Sequence, residues 1–412
     1  MSRTNRRGLL KLLGATAAVG STGVAGAKPD WAGPPDETMR LFSDVGVGGA
    51  QEVVTQNKWA YVATGDGFAV IDWRNPNRPE KVVDMHAPGV GIADVKVEDD
   101  VLAVCSQGSE EHDHDGEEDE NTVPDSEIGT HFYDVSNPTK PRYQGTFQVL
   151  PVGVHNAHLV GDVAYICKEA PFDDSALLIV DISDPTDPTQ IAEWRVEDVH
   201  PELDSPTNFV HDVYTQDGYS YLAYWDAGTR VLDVSDPSNP VEVSAFGEAP
   251  GADKGTSGNV NDRIYGPPGN AHYVRPSPDG DHVYVGAETY IIESGGVKVF
   301  DVTDFDAPEQ VARIDPPDVD EGIFGKTSHN FDVTRNRLYT SWYDGGATVF
   351  DITDPSNPEQ TYRYDPEGSS FWTAIEEHGF VIVSDIGTGV KFLKTDQSRR
   401  SGGSDRGRGG GS

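Results

Sequence analysis

Residues 177–188 read LLIVDISDPTDP, and this stretch decides the fold. Four apolar residues lead into Asp181, a β-branched residue and a serine follow, and a second aspartate precedes Pro185. An apolar run of that length bounded by Asp, Ser and Pro is a strand ending in a turn, because Asp and Ser side chains bond nearby backbone amides and proline presets the bend. The stretch recurs as AVIDWRNPNRP (69–79), HFYDVSNPTKP (131–141), RVLDVSDPSNP (230–240), KVFDVTDFDAP (298–308) and TVFDITDPSNP (348–358), with a truncated seventh copy, GVKFLKTD, at 389–396. Between Asp72 and Asp351 the mean spacing is (351 − 72)/5, about 56 residues. That period exceeds one hairpin and fits one four-stranded blade with its loops. The repeated D-[VI]-[ST]-[DN]-P motif invites an acidic catalytic or calcium reading, but turn chemistry accounts for it.

Working outward, every unit carries an apolar stretch after a His, Asp or Glu, an aromatic-rich strand such as YSYLAYW (219–225), the aspartate-ended strand, and a last strand such as EVSAF (242–246). No helical periodicity follows the first few dozen residues. The seventh unit stops after its third strand, and a matching fourth is found in ETMRLFSDV (37–45), near the other end of the chain. Pairing the two would close the ring and remove exposed sheet edges. The expected architecture is an all-β, seven-bladed β-propeller over 37–396, with an N-terminal strand completing the last blade. The run Leu178-Ile179-Val180-Asp181 resembles the signature of the LVIVD-repeat β-propeller family. The resemblance extends over about 37–396 and implies the fold, together with export for many members, but no assigned reaction.

The first residues carry Arg6-Arg7-Gly8-Leu9-Leu10-Lys11, a short apolar stretch, and Ala25-Gly26-Ala27 ahead of Lys28. This resembles a twin-arginine export signal over 1–27 with an A-x-A cleavage site, followed by a linker over 28–36. An amphipathic N-terminal helix is the plainer alternative. The Gly, Ser and Arg residues of 397–412 form an expected disordered tail. With 69 acidic residues against 31 Lys and Arg, the chain carries a formal charge of −38, so a nucleic-acid partner is not expected. Such an acidic surface suits concentrated salt, where self-repulsion is screened, and a halophilic archaeal source is the expectation. No later run is long and apolar enough for a membrane span. The mature chain is expected outside the cytoplasmic membrane, as a monomer. Cys105 and Cys167 are too few for a disulfide framework and read as buried thiols.

The stretch GVHNAHLVGDVAYI (153–166) sets His155 and His158 three residues apart at a strand entrance. Aligning the seven first strands by eye gives a column of Glu52, Asp94, His158, Asp212, His272, Asp332 and Ala374, with His155 and His329 three positions before it or its neighbours and His211 beside Asp212. First strands line the central channel of a propeller, so these side chains are expected to converge there. Imidazole and carboxylate together suit a divalent transition metal, with His155, His158, His272 and His329 as candidate ligands and Glu52, Asp94, His211, Asp212 and Asp332 as candidate ligand-binding residues. Residues three apart face opposite ways on a strand, so His155 and His158 share a metal only if the chain bends between them. A hydrated polar channel in which these groups satisfy the backbone is the competing reading.

The long segments 107–130, 197–208, 247–269, 287–296 and 316–327 all fall between second and third strands or between blades, hence on one face. The acidic stretch EEHDHDGEEDE (110–120) reads as a solvated insertion. Two functions follow. One is an extracellular binding or cell-surface module that uses the loop-rich face for a protein or small ligand. The other is a His-ligated metal enzyme, an oxidoreductase being one form, since the methanethiol oxidase (selenium-binding) propellers are similar in architecture and use histidine-bound metal; that comparison rests on fold alone.

Overall fold

The computed structural model describes residues 39–107, 128–150, 153–168, 174–203, 208–247, 270–289, 295–317 and 327–395. The expected export signal, linker and tail lie outside these residues, as does the acidic stretch 110–120. Seven four-stranded antiparallel sheets form the blades. In chain order the first strands are Val53–Gln56, Val90–Glu98, Val154–Val160, Asp212–Gln216, Ala271–Pro276, Asp332–Val333 and Phe371–Glu377, and each touches the next in cyclic order. They are therefore the innermost strands of a closed ring.

Closure is made as the sequence suggests. Arg40–Val45 pairs antiparallel with Gly389–Lys394, running from Arg40 opposite Lys394 to Val45 opposite Val390. Gly389 makes this approach feasible, since a Cβ there would lie 2.3 Å from the Val45 carbonyl oxygen.

The apolar run in LLIVD is continuous because a blade is buried on both faces. Leu177 and Ile179 pack against Val210, Val213 and Leu222 of blade four, whereas Leu178, Val180 and Ile182 pack against Ala103 and Phe132 of blade two. Seven such clusters fill the seven interfaces between blades among the described residues. The residue after each repeat aspartate is an interface residue, buried as Trp73, Val135, Ile182, Val234, Val302 and Ile352.

The aspartates make turns. Asp181 accepts from the Ser183 amide at 2.8 Å and Asp184 from the Thr186 amide at 3.1 Å. The first of these bonds is repeated by Asp72, Asp134, Asp233, Asp301 and Asp351. Accepted hydrogen bonds hold the Asp181, Asp233, Asp301 and Asp351 carboxyls below the usual carboxylate range. Among the described residues no helix is long and apolar enough to cross a membrane.

Candidate functional site

The first hairpins define equivalent positions. Blades one, two, three, four and seven turn at the pairs Gln56–Trp59, Glu98–Val101, Val160–Val163, Gln216–Tyr219 and Glu377–Phe380. Counting five residues back from each gives Gln51, Ala93, His155, His211 and Trp372. Blades five and six have longer turns and are placed by hydrogen bonds between blades. Val274 donates its amide to Asp212 as Val95 does to Glu52, and Glu376 donates to Asp332 as Thr215 does to His158. His272 and His329 thereby join the same row.

The rows in the channel therefore differ from the column expected from sequence. Glu52, Asp94, Asn156, Asp212, Tyr273, Asn330 and Thr373 form one row, while His158 and Asp332 belong two residues deeper, level with Lys96, Tyr214 and Arg275. Pairing at the strand entrances is irregular in blades three and five, with register shifts between Val154 and Ala157 and between Ala271 and Tyr273. Such shifts re-aim side chains. His155 and His158 accordingly make separate contacts.

At the mouth, four histidines from consecutive blades lie ring against ring. Centroid separations are 3.8 Å for His155–His211, 4.0 Å for His211–His272 and 4.7 Å for His272–His329, and Trp372 continues the series 4.1 Å from His329. The Nδ1–H groups of His211 and His329 can each donate at 2.9 Å, to the carbonyls of His272 and Trp372 respectively. That tautomer leaves Nε2 as the lone-pair nitrogen in both rings. Burial first, and neighbouring imidazoles second, push the His211 and His329 pKa values well below the ordinary range. Both rings are neutral near neutral pH.

A second set of side chains surrounds this row, each near the end of a second strand. Gln107 meets His155 Nδ1 at 2.5 Å, and Trp225 stacks on His211 at 5.8 Å. Glu288 approaches His272 Nδ1 with Oε2 at 3.2 Å, and the Tyr343 hydroxyl donates to Glu288 Oε1 at 3.1 Å. Trp225 and Tyr343 sit at positive φ, 33° and 45°, a costly conformation for aromatic residues that concentrates at functional positions. His272, Glu288 and His329 each offer a ligand atom, all within 4.8 Å of one another. Buried Gln51 Oε1, His211 Nε2, His272 Nε2 and Trp372 Nε1 have no hydrogen-bond partner.

Below the mouth the polar groups satisfy one another. Glu52 pairs with Lys96 and accepts from Val95 N–H at 3.1 Å, and Lys96 lies 3.8 Å from Asp94. Burial, then the Glu52 charge, pushes the Asp94 carboxyl well up. Asp212 accepts from Asn156 at 2.6 Å and Val274 at 3.0 Å, and burial raises its pKa to about 6. Asp332 binds Arg275 at 3.0 Å, and that guanidinium covers the Tyr214 ring at 4.1 Å. His158 accepts from Thr215 N–H at 3.2 Å; burial first, then Arg275 and Lys96, lowers its pKa to about 3. A neutral acceptor with a backbone donor is the polar-channel behaviour. The structure thus gathers His155, His211, His272 and His329 at the mouth and sets Glu52, Asp94, Asp212, His158 and Asp332 within the channel.

Glu288, Gln107, Trp225, Tyr343, Trp372 and Gln51 are the residues that sequence reading missed. The signal was positional. Gly65, Gln107, Trp225, Glu288, Tyr343 and Ile386 occupy one repeat position, two residues beyond Ala63, Cys105, Ala223, Gly286, Ser341 and Ser384, as the strand registers show. Comparing that position across blades would have exposed an acid and an amide among aromatic and small residues.

A ring of seven such sheets with a polar mouth defines a seven-bladed β-propeller. Its repeats match the LVIVD repeat family over residues 47–84, 155–194 and 210–247, which lie in blades one, three and four. A search of curated proteins found no match. The fold is similar to a solved protein from Lactobacillus plantarum, at 13% identity and a TM-score of 0.54, with 84% of this chain and 89% of that one covered. The Cps50 (Swd1) β-propeller domain of Myceliophteria thermophila gives 10% identity and a TM-score of 0.58, covering 86% of this chain and 98% of that one. A Bacteroides fragilis protein provisionally described as a 6-phosphogluconolactonase gives 9% identity and a TM-score of 0.52, covering 86% and 89%. At these identities the likeness is one of fold alone.

Proposed function

We propose that this is an exported binding propeller, monomeric, whose loop-rich face receives an extracellular ligand over the channel mouth. The observation that carries the reading is the convergence, at the end of the channel where the first strands begin, of buried polar atoms without protein partners on Gln51, His211, His272 and Trp372. A rigid ring presenting unequal loops around such a point is a binding scaffold. Phe209, Trp225, Tyr343 and Trp372 supply aromatic walls beside the imidazoles, 4.8 Å separating Phe209 from Trp225. A small polar ligand with one flat face fits this chemistry best.

The test is a thermal-shift screen of small polar metabolites against the mature chain and a Trp372→Arg variant that obstructs the mouth. A ligand that stabilises the first and not the second supports the reading. Equal stabilisation of both moves the site elsewhere, and no stabilisation by any compound counts against a small-ligand module. Export is tested by fusing residues 1–36 to a reporter that is active only after folded translocation. Replacing Arg6 and Arg7 by lysine should abolish its appearance outside the cell, and unchanged export would refute the twin-arginine assignment.

A His-ligated metal enzyme is the second reading. It is favoured by one specific observation, the histidine–carboxylate trio of His272, Glu288 and His329.

A further inference from the structure

We propose that His272, Glu288 and His329 bind one first-row divalent transition ion, zinc or copper(II) in class, at the channel mouth. This rests on the mouth being the working end of the molecule and assigns it a resident ion; it does not depend on which further ligand lands there. The three residues come from two adjacent blades. His272 enters with the first strand of blade five, Glu288 follows the second strand of that blade, and His329 precedes the first strand of blade six. Each is at most 3% exposed.

Three observations converge. Glu288 is fixed rather than adventitious: its carbonyl accepts from Asn270 Nδ2 at 3.0 Å, its amide bonds the Asn270 carbonyl at 3.3 Å, and Tyr343 holds Oε1. Gly295 donates its amide to the Thr289 carbonyl beside Glu288, and any Cβ on it would collide with the Ala287 carbonyl oxygen at 1.8 Å.

Next, the remaining polar atoms of the trio are left over. Glu288 Oε2 and both ring nitrogens of His272 are buried without a hydrogen bond of acceptable geometry, although Nδ1 and Oε2 are 3.2 Å apart. Leaving such groups buried and unsatisfied is destabilising. A cation bound between Oε2 and one nitrogen of His272 satisfies both, and the other ring nitrogen then carries the N–H.

Finally, His329 is already oriented as a ligand. Its Nδ1 bonds the Trp372 carbonyl, the outer hydrogen bond that typically fixes the tautomer of a metal-bound imidazole and turns Nε2 toward the ion. Donors at about 2.1 Å from a shared ion lie no more than about 4.2 Å apart. The present spread of at most 4.8 Å closes by small side-chain rotations. Two nitrogens and one carboxylate select a transition ion over calcium or magnesium, which take mainly oxygen ligands.

The experiment uses the mature chain after dialysis against a chelator, titrated separately with zinc and copper(II) in a calorimeter, with cobalt(II) as a spectroscopic probe. One ion per chain is expected, with cobalt absorption bands characteristic of low coordination number. His329→Ala and Glu288→Gln should each weaken binding by at least about 100-fold. His158→Ala and His112→Ala should leave it unchanged. Glu288→Gln keeps the size of the side chain, so the test survives if a histidine variant fails to fold. Absence of stoichiometric binding, or binding that follows His158 or His112 and ignores Glu288, overturns the proposal. A mouth that takes no metal yet still discriminates ligands through Trp372 would overturn this inference and leave the binding reading intact.

Discussion

The outer turns and the channel mouth both carry polar side chains that bond the backbone, yet one is repeated and the other is not. In six blades an aspartate accepts the amide two residues on, at 2.8 to 3.1 Å, on the solvent side of the ring. At the mouth, equivalent positions hold Gln51, Ala93, His155, His211, His272, His329 and Trp372, each with different partners. In a propeller, repetition reports what every blade needs in order to fold. Departure from repetition reports what the whole ring does.

The largest effect should come from breaking the ring itself. Deleting residues 39–45 removes the outer strand of blade seven and bares the edge of Gly389–Lys394, so the melting temperature should fall by at least about 10 °C or the protein should aggregate. A deletion variant that melts like the parent would show that closure adds no stability. Gly389→Val should act in the same direction, since its side chain would have to displace the Val45 backbone.

Within the channel, Lys96→Ala strands the buried carboxylate of Glu52 and should cost about 3–5 kcal/mol by denaturant unfolding. Replacing both members of the pair, with Glu52→Gln and Lys96→Met, should recover part of that loss. A double variant worse than the sum of its singles would contradict a paired-charge account.

The two classes of aspartate should also separate by pH. Asp212 has a folded pKa of about 6 against an ordinary value of 3.8, so the folded chain holds its proton more tightly than the unfolded chain does. Its contribution is fully present below about 3.8 and is lost as pH rises through 6. The groups facing it are Lys96, Asn156, the Val274 amide, Glu52 and His272. Relative to the parent, Asp212→Asn should be more stable at pH 7 than at pH 4.5, by an amount on the order of 1–3 kcal/mol in urea midpoints. The turn aspartates behave oppositely. Asp134, lowered to about 2 by bonds from Ser136 and Arg142, stabilises above 3.8 and loses that contribution only as pH falls toward 2. An Asp212→Asn difference independent of pH would place that carboxyl in a more solvated setting than the structure gives it.

The smallest effect belongs to a single turn. Asp181→Ala removes the acceptor of one exposed amide and should leave the urea midpoint nearly unchanged, with no change in metal or ligand binding. A large fall in the midpoint there would mean that the turns carry more than local geometry.

The fold was legible because blade architecture is written in local chemistry. LLIVD shows both buried faces of a third strand, and the aspartate, serine and proline after it show the turn. Even the closing strand could be found, since RLFSDV resembles the outer strands of other blades. The four mouth histidines were legible as a set, but not their rows. Blades five and six lengthen their first turns and several strand entrances shift register, so spacing along the chain stops tracking height in the channel. Glu288 was hidden for another reason. A carboxylate in a long surface segment of an acidic chain looks like solvated charge until folding brings Asn270, His272 and Tyr343 around it.

The pairing of Arg40–Val45 with Gly389–Lys394 has a temporal consequence. Of the described strands, the one made first is seated last, because its neighbour Gly389–Lys394 is made after all the others. Six blades can be laid down as the chain emerges, but the seventh is a latch that engages only once Gly389–Lys394 has been made. Until then the ring is an open arc with an apolar flank at each end. Closing it is the longest-range contact in the molecule and the slowest loop to search, which makes the final strand exchange the natural bottleneck of folding.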